Sequence, residues 1–585
     1  MMATLPGLPM FGHGQVEAFT EKYGMEYYKP RYNETPNQGL VDRHMREIAP
    51  LLRQRKLFAE SYNFVLYDFW KDNGEVDENV YAYSNRVGDQ RAIVLFHNHY
   101  GETRGTIHYS AAFADKSTGT LRQTALHDAM AFPTDDSLLV AHRETVSGLE
   151  YLTRASDLRA KGIAVPLHAY QYRVLQNWRE LRADKEHPWD KLFDSLHGQG
   201  VPNLDEALIK LKLQPVTDAL RAVLDPVLIR ALAELSELHD VITDHDAHVL
   251  KSSAAQKKRQ EFFETICDRA CVFFHHARHF SAKPGERAPI YDEPLESAEL
   301  AISLRSLLRK IMRIPQMEDS LFPTSSDAQA AMWSAEARRV LPSRSPRIDS
   351  AAVWGPTIGW VLLKVLAEWI ETADQRAASA TTAKAPTEKA IASRAVELRA
   401  IDLFDHLRLR SAFGETFAFI GVEGEDAWRA AARIRVAFLP VNDVQKTAEQ
   451  DETGPWWSDP DVRWLTGLHE ADKVWYFNQE SYEQMVWWSA LPQLVEVETD
   501  PAVEKSRLRK LAKTVESELS AAEAAKYRLR GSEVTRPTPA SLAKLNFQAA
   551  VRDAGHDPET ANPISPNDET TETEVLVPEA PGKKV

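Results

Sequence analysis

The sequence predicts a multi-domain α+β protein with three parts in chain order: a strand-loop-helix unit, an antiparallel β-sandwich and a mainly α-helical region. Three observations support this prediction. The first sixty residues contain a short apolar run, a polar loop and an amphipathic stretch. Runs of β-branched and aromatic residues, separated by turn residues, follow up to about residue 183. Apolar residues then recur at helical spacing.

The first part, residues 1–59, has the pattern of a strand, a loop and a helix. Residues 5–15 read LPGLPMFGHGQ, an apolar run between prolines and glycines that predicts a short strand and then a loop. Residues 40–57 have an amphipathic helical pattern, which Pro50 should divide. One strand and one helix cannot bury their apolar faces alone, so we expect partner strands elsewhere in the chain or in another polypeptide.

The second part, residues 60–183, predicts the antiparallel β-sandwich. Its apolar runs are separated by Asp-Asn-Gly at 72–74 and Val-Gly-Asp at 87–89, which are turn sequences. The strand-like runs lie at 64–70, 80–84, 92–96, 106–109, 138–142 and 170–175.

The remaining sequence predicts mostly helices. We expect a helical domain at 184–373, a linker at 374–390, a mixed but mostly helical region at 391–553 and a disordered acidic tail at 554–585. Candidate helices lie at 204–224, 227–249, 255–280, 298–311, 327–341, 358–373, 391–406 and 504–528, and residues 434–439 are strand-like.

Composition and charge narrow the function classes. The chain has 585 residues, of which 43% are hydrophobic, so it can bury several cores. Its net charge of −15 argues against nucleic acid as a partner, because phosphate binding needs clustered Lys and Arg. With only two cysteines no disulfide framework is expected, and we predict a cytoplasmic protein. The apolar run at 358–366 is too short to span a bilayer, so no membrane partner is expected.

The N-terminal motif carries a family resemblance. Residues 1–183 resemble the end of the α-amylase superfamily, glycoside hydrolase family 13, whose catalytic domain is a (β/α)₈ barrel. The eighth strand of that family commonly reads Gly-x-Pro, apolar residues, Gly, then Asp or Gln followed by Glu. Here Val16 separates Gln15 from Glu17, which departs from the pattern. The residues that match in order are Gly7, Pro9, Met10, Phe11, Gly14 and Gln15.

Further segments are similar to the same family. Residues 92–98, AIVLFHN, are similar to an amylase strand that ends in Asn, and residues 167–175 to the last strand of its β domain. The segments MFGHGQVEAFTEKYGMEY, VYAYSNR and SGLEYL resemble a subgroup of large bacterial amylase-like proteins that have a helical C-terminal extension. The resemblance therefore implies that residues 1–59 are the final βα unit of an incomplete TIM barrel and that residues 60–183 are an amylase domain C-like sandwich.

The resemblance also implies what this chain lacks. Retaining glycosidases need two carboxyl groups about 5 Å apart, and in this family the catalytic carboxylates follow the fourth, fifth and seventh strands. Those strands precede the eighth, so no catalytic residue is assigned here, and the chain alone is expected to be an inactive C-terminal fragment of a glycosidase of carbohydrate metabolism. If a complete barrel forms, His13, Gln15 and Glu17 would line a sugar-binding cleft. The implied partners are an α-glucan or oligosaccharide and the missing N-terminal portion of the barrel.

Two alternatives stay open at this point. The chain could instead be a stand-alone, non-catalytic carbohydrate-binding or interaction protein that derives from such an enzyme. His13, Gln15 and Glu17 would then simply pack in a loop before a helix.

Other candidate sites favour structural roles, and we expect neither a cofactor nor a metal. Cys267, Cys271, His275 and His279 recur every four residues along about 18 Å of one helix, too far to close around one zinc ion. The pairs Trp456-Trp457 and Trp487-Trp488 could stack on sugars but favour core packing. Glu144 and Glu150 are expected to be solvated.

Overall fold

A computed structural model describes most of the chain, in two compact units that comprise residues 1–214 and 215–585. The described residues are 1–21, 29–115, 117–237, 253–281, 293–322, 328–344, 350–381, 393–439, 455–498 and 500–529. The fold is mixed, with several sheets and many helices, as the α+β prediction requires. The predicted tail at 554–585 and residues 382–390 of the predicted linker lie outside these ranges.

The first unit is built mainly from β-strands. Its strands are β1 Val65–Tyr67, β2 Trp70–Lys71, β3 Val80–Val87, β4 Gln90–His97, β5 Thr103–Ile107, β6 Phe113–Ala114, β7 Leu121–Arg122, β8 Leu138–Glu144, β9 Glu150–Arg154, β10 Ile163–Leu167 and β11 Tyr172–Arg182. Its helices are α1 Gln38–Arg43, α2 Ala49–Leu52, α3 Arg55–Phe58, α4 Leu126–Ala129, α5 Ala155–Lys161, α6 Trp189–Leu196 and α7 Leu204–Val223, the last of which runs into the second unit.

Two antiparallel sheets organise these strands. A six-stranded sheet has the order β1-β3-β4-β11-β8-β9, and a three-stranded sheet has the order β10-β5-β2. β3 and β4 form a hairpin in which Val87 pairs with Gln90, so its loop has two residues. Gly88 provides the positive φ of 57° that such a tight loop needs. All six strand-like runs predicted between residues 64 and 175 overlap strands or their ends.

One face of the six-stranded sheet shares a core with the three-stranded sheet. Because side chains alternate along a strand, Val80 and Ala82 of β3 face this core, together with Ile93 and Leu95 of β4. The three-stranded sheet contributes residues such as Ile107. Further buried members come from α4, α5, β8, β10 and β11: Leu126, Ala155, Leu158, Val140, Val165, Leu167, Leu175 and Trp178.

The opposite face of the same sheet is covered by the N-terminal segment. Leu51, Leu57 and Phe58 are buried against Tyr83 of β3 and Val174 of β11. We call residues 1–59 the N-terminal cover. A second cluster on the β8 and β9 side buries the start of α6 and α7; its members include Leu139, Ala141, Leu152, Trp189, Leu192 and Leu204.

The N-terminal cover differs from the predicted barrel unit. No strand forms among the described residues before Val65, so the strand expected within residues 5–15 is wrong. Within the part of the chain that the structure describes, no strand lies beside the apolar run to form a ladder of hydrogen bonds with it, and without such a ladder a strand does not form. The helix prediction for residues 40–57 is confirmed, including its division. A π-helical turn, His44–Ile48, interrupts it just before Pro50, which cannot donate a backbone hydrogen bond.

The second unit is mainly helical, as predicted. Its helices are α8 Pro226–Glu237, α9 Ser253–Ser281, α10 Glu293–Ile311, α11 Glu318–Leu321, α12 Ala328–Arg338, α13 Ser350–Thr381, α14 Ser393–His406, α15 Leu409–Phe419, α16 Gly424–Val436, α17 Pro455–Ser458, α18 Pro460–Thr466, α19 Gln479–Ser489, α20 Leu491–Val495 and α21 Pro501–Ala524. A small antiparallel sheet adds β12 His469–Ala471, β13 Val474–Tyr476 and β14 Arg528–Leu529.

Two predictions for this unit need correction. Residues 434–439 are not a strand, because α16 continues to Val436 from an alanine-rich start that favours helix. Residues 374–381 do not belong to a linker but complete α13.

Helix α13 is the central apolar helix of the second unit. It contacts α8, α10, α14 and α16, and the predicted buried helix at 358–366 lies entirely within it. Residues 351–375 are long and apolar enough to cross a membrane, but 83% of the most apolar window is buried inside the protein. Such burial is typical of a core helix.

Candidate functional site

The loop that holds His13, Gln15 and Glu17 begins at a segment fixed by Arg55 of α3. The Arg55 guanidinium donates hydrogen bonds to the carbonyl oxygens of Ala3 at 2.8 Å and Leu5 at 3.3 Å, and also to that of Gly7. The Gly7 amide in turn donates to the Ala59 carbonyl oxygen at 2.9 Å. Both ends of the N-terminal cover are therefore joined beside the sheet.

A tight turn at Gly14 exposes two of the three predicted site residues. Gly14 has a φ of 69°, and a Cβ atom there would collide with the side chain of Phe19. The Phe19 amide donates to the Gly14 carbonyl oxygen at 2.9 Å, which closes the turn. The imidazole of His13 lies 5.5 Å from the Phe19 ring, and Gln15 Oε1 accepts a 3.0 Å hydrogen bond from the Gly12 amide. His13 and Gln15 are both exposed.

The rest of the loop is held by carboxylates that cap backbone amides. Glu34 accepts hydrogen bonds from the Thr20 amide and hydroxyl at 2.8 and 2.6 Å, and from the Glu21 amide at 3.1 Å. Glu21 accepts in the same way from the Arg31 and Tyr32 amides. The hydrogen bonds from Thr20 hold the pKa of Glu34 below its ordinary value, with smaller contributions from the Glu21 amide and from the positive charge of His13.

Glu17 is placed differently from the other two predicted residues. It is partly buried, and its carbonyl oxygen accepts a 2.9 Å hydrogen bond from the Asn37 amide. Asn37 also caps α1, because its side chain accepts from the Leu40 amide at 3.0 Å. Glu17 thus links the loop to the first helix.

This geometry presents hydrogen-bonding side chains on an exposed turn. His13 and Gln15 present hydrogen-bonding groups within one turn, which suits hydroxyl-bearing ligands. A general acid must hold a proton near neutral pH, whereas Glu34 is held ionised by its donors. The loop therefore has the character of a binding surface.

Glu144 and Glu150 are not solvated, which corrects the sequence expectation. Glu144 is buried and accepts from the Val146 and Ser147 amides at 3.0 and 2.7 Å. Glu150 accepts from Arg143 at 3.3 Å and Arg179 at 3.2 Å. The chain folds back between β8 and β9, and Glu144 caps that turn. Glu150 instead accepts from the two arginine side chains and, at 2.9 Å, from the Leu204 amide.

Three of the four tryptophans in the two pairs have core positions, as expected. Trp457, Trp487 and Trp488 are all buried, so they offer no face to a sugar ring. The side chain of Trp456 lies outside the described part of the structure.

The cysteine and histidine run packs α9 against α10. Cys271 Sγ lies 3.7 Å from the Ser297 carbonyl oxygen, and His275 Nε2 lies 3.1 Å from the Ser297 hydroxyl oxygen. Burial raises the pKa of the Cys271 thiol to about 11. Within the described ranges, no group of three or more His, Cys, Asp or Glu residues could hold a metal ion.

A buried ionic cluster in the second unit joins α16 to α18. Arg435 Nη1 lies 2.8 Å from Asp459 Oδ2 and 3.2 Å from Asp461 Oδ2, and Arg410 pairs with the other oxygen of Asp461. Asp459 also caps α18 by accepting from the Asp461 amide at 2.8 Å. Because Asp461 is buried and both its oxygens are paired, the cluster anchors two helices and does not present a carboxylate to a substrate.

Sequence reasoning missed a second surface, at one end of the first unit. Tyr100 and Tyr170 lie on two loops that hydrogen-bond to each other, and both rings are exposed. The exposure of an aromatic side chain cannot be determined from sequence, although Gly101 marks a turn beside Tyr100.

Comparisons with known proteins leave the family open, since no family model, no curated protein and no solved structure matches this chain.

Proposed function

We propose that this chain is the non-catalytic C-terminal portion of an α-amylase-like glycoside hydrolase that acts on α-glucans in the cytoplasm. In this proposal the N-terminal cover completes a barrel supplied by another stretch of polypeptide, which carries the catalytic carboxylates. The two sheets of the first unit are then the amylase-type β-sandwich, and the helical second unit is the extension of that subgroup.

One observation carries the proposal. Leu8 and Met10, in the segment that resembles the eighth barrel strand, are 88% and 75% exposed. Large apolar side chains exposed in one continuous segment mark an interaction surface. In a barrel strand, Leu8 and Met10 would lie on the same face, where the packed interior or the helical layer would cover both side chains.

The order of the parts along the chain supports the same reading. In the α-amylase superfamily, which the sequence resembles, an antiparallel β domain directly follows the last barrel helix. Here two antiparallel sheets with a shared core begin at Val65, seven residues after α3 ends at Phe58.

The first test is the DNA immediately upstream of the coding sequence. An in-frame or frameshifted stretch that encodes seven βα units with three acidic strand ends is expected. An unrelated gene followed by a clean ribosome-binding site would contradict the proposal.

The second test uses the purified chain. With soluble starch or maltoheptaose we expect no release of reducing sugar, because the proposal assigns the catalytic carboxylate pair to the other stretch of polypeptide. Retaining hydrolysis that a single carboxylate substitution abolishes would show that the chain is itself a catalyst.

A third test joins the two parts. Co-expression with the polypeptide encoded upstream should give a stable complex, which the double variant Leu8→Asp, Met10→Asp should lose. Val227→Asp is a matched control, because Val227 is 71% exposed but lies on α8 of the second unit. If the unaltered chain, the double variant and Val227→Asp form the complex equally well, Leu8 and Met10 do not contact the partner.

A specific observation favours the alternative, a stand-alone carbohydrate-binding protein. Leu51, Leu57 and Phe58 of the N-terminal cover are already buried against this chain's own sheet. The apolar face of the helix that holds these residues is therefore already covered, although Leu8 and Met10 of the same segment stay exposed. In that case the upstream DNA encodes no barrel, and glycan binding by the chain alone is the whole activity.

A further inference from the structure

The surface formed by two loops at one end of the first unit has the composition of a ligand site. One loop follows β4 and the other follows β10. We call this surface the tyrosine platform, and it consists of Asn98, His99, Tyr100, Glu102, His168 and Tyr170. All six residues are exposed.

The platform is held rigidly by hydrogen bonds between its loops. The Tyr170 amide donates to the His99 carbonyl oxygen at 3.3 Å, and the His97 amide donates to the Gln171 carbonyl oxygen at 2.9 Å. His168 Nδ1 lies 2.9 Å from Glu102 Oε1. The buried His97 ring adds a contact at 3.0 Å to the His168 carbonyl oxygen. The rings are thus mounted on ordered loops that the sheets support.

Backbone strain occurs at the same place. Tyr170 has a φ of 53°, a left-handed conformation that bulky residues seldom adopt. Gly101, next to Tyr100, has a φ of 144°, which glycine adopts without strain and which marks the turn. Strain of this kind is often found at binding and active sites, where the surrounding structure maintains it to present a side chain. Here the strained residue presents a ring that is 57% exposed, while that of Tyr100 is 80% exposed.

The chemistry of the platform selects a class of ligand. Two tyrosine rings offer apolar faces on which the C–H groups of a pyranose ring can pack. Asn98, His99 and the His168–Glu102 pair offer both donors and acceptors beside those faces, as hydroxyl groups require. The six residues include no Lys or Arg, which a phosphate backbone would need. They also include no aliphatic side chain of the kind that anchors an apolar peptide.

We propose that the tyrosine platform binds a neutral oligosaccharide chain, with Tyr100 and Tyr170 stacking on its sugar rings. The choice of an α-glucan as the ligand rests on the proposed function, whereas the assignment of the platform as a glycan site does not.

The experiment measures binding of the full chain to maltoheptaose by calorimetry and to amylopectin by retardation in a native gel. Tyr100→Ala and Tyr170→Ala should each weaken binding about tenfold, because each removes one stacking face. Tyr100→Phe should keep most of the affinity, since the ring remains. Tyr62→Ala is the matched control, because Tyr62 is 92% exposed in the same unit but lies outside the platform, and it should bind like the unaltered chain. Thermal melts of all variants check that the fold is retained.

The same assay with cellohexaose and chitohexaose separates this proposal from the proposed function. Binding of either sugar that depends on Tyr100 and Tyr170, without binding of maltoheptaose, would support the platform and contradict the α-glucan assignment. If the unaltered chain binds none of these glycans, or if Tyr62→Ala weakens binding as much as the platform variants do, the proposal is wrong.

Discussion

Packing of the N-terminal cover on the six-stranded sheet can be tested at Phe58. This residue is fully buried between the cover and the sheet, in the cluster that contains Tyr83 and Val174. A buried phenylalanine removes about 200 Å² from water, which at about 25 cal/mol per Å² corresponds to about 5 kcal/mol as an upper bound. Phe58→Ala should therefore destabilise the cover by about 3 to 5 kcal/mol. Leu8→Ala is the control, because Leu8 is almost fully exposed and its loss should change stability by less than about 0.5 kcal/mol.

The assay should report on this region alone, because a chain with two units need not unfold in one step. Hydrogen exchange measured by mass spectrometry follows the amides of β3 and β4, which lie under the cover. Phe58→Ala should accelerate exchange there by about 100-fold or more, since about 1.4 kcal/mol corresponds to a factor of ten. Exchange in α13 of the second unit should not change. If the amides of β3 and β4 exchange at the same rate in Phe58→Ala and Leu8→Ala, the N-terminal cover does not stabilise the sheet, and the role given to Phe58 is wrong.

Two further predictions concern the first unit. His142 lies between the rings of Tyr151 and Trp178, and burial lowers its pKa to about 4. In the unfolded chain the His142 imidazole takes up a proton near pH 6.5, whereas in the folded protein it stays neutral down to about pH 4. The free energy of unfolding should therefore keep its full value above pH 6.5 and fall by up to about 3 kcal/mol as the pH approaches 4. Melting temperatures at pH 7.5 and 5 should differ less for His142→Phe than for the unaltered chain, and an equal difference would show that His142 is not the cause. Gly162→Ala should lower the free energy of unfolding more than Gly148→Ala does. Both glycines have a φ of 71°, but only at Gly162 would a Cβ atom meet the Ile107 carbonyl oxygen. Denaturant midpoints compare the two, and equal midpoints would exclude a steric effect.

The strands that could be predicted from the sequence are those with long apolar runs. β3 and β4 combine β-branched and aromatic residues with a clear turn at Gly88, so local pattern and final structure agree. β10 lies outside the strand-like runs predicted from the sequence, and it contains Pro166, which cannot donate a ladder hydrogen bond. In the structure β10 is an edge strand, where a missing amide donor is tolerated.

Long-range packing explains most of what could not be predicted. The helical pattern of residues 40–57 shows that one face is apolar, but it does not show what that face meets. The structure buries it against β3, β4 and β11, and β11 lies more than 100 positions away, as the 2.9 Å hydrogen bond between Gln176 and Gln54 shows. For the candidate site, the sequence identified His13, Gln15 and Glu17 as neighbours in a loop. Their different exposures depend on the turn at Gly14 and on the caps provided by Glu34 and Asn37.

The N-terminal cover also has a consequence for how the chain folds during synthesis. Its contacts with β11, such as that between Tyr172 and Glu47, join residues that are 125 positions apart. The cover leaves the ribosome before the central strand β11 on which it rests, and β11 is among the last parts of the unit to appear. Contacts of such separation slow folding, and apolar side chains that wait for a partner favour aggregation. Leu51, Leu57 and Phe58 should therefore be the part of the first unit that most needs chaperone protection until residue 182 has been synthesised.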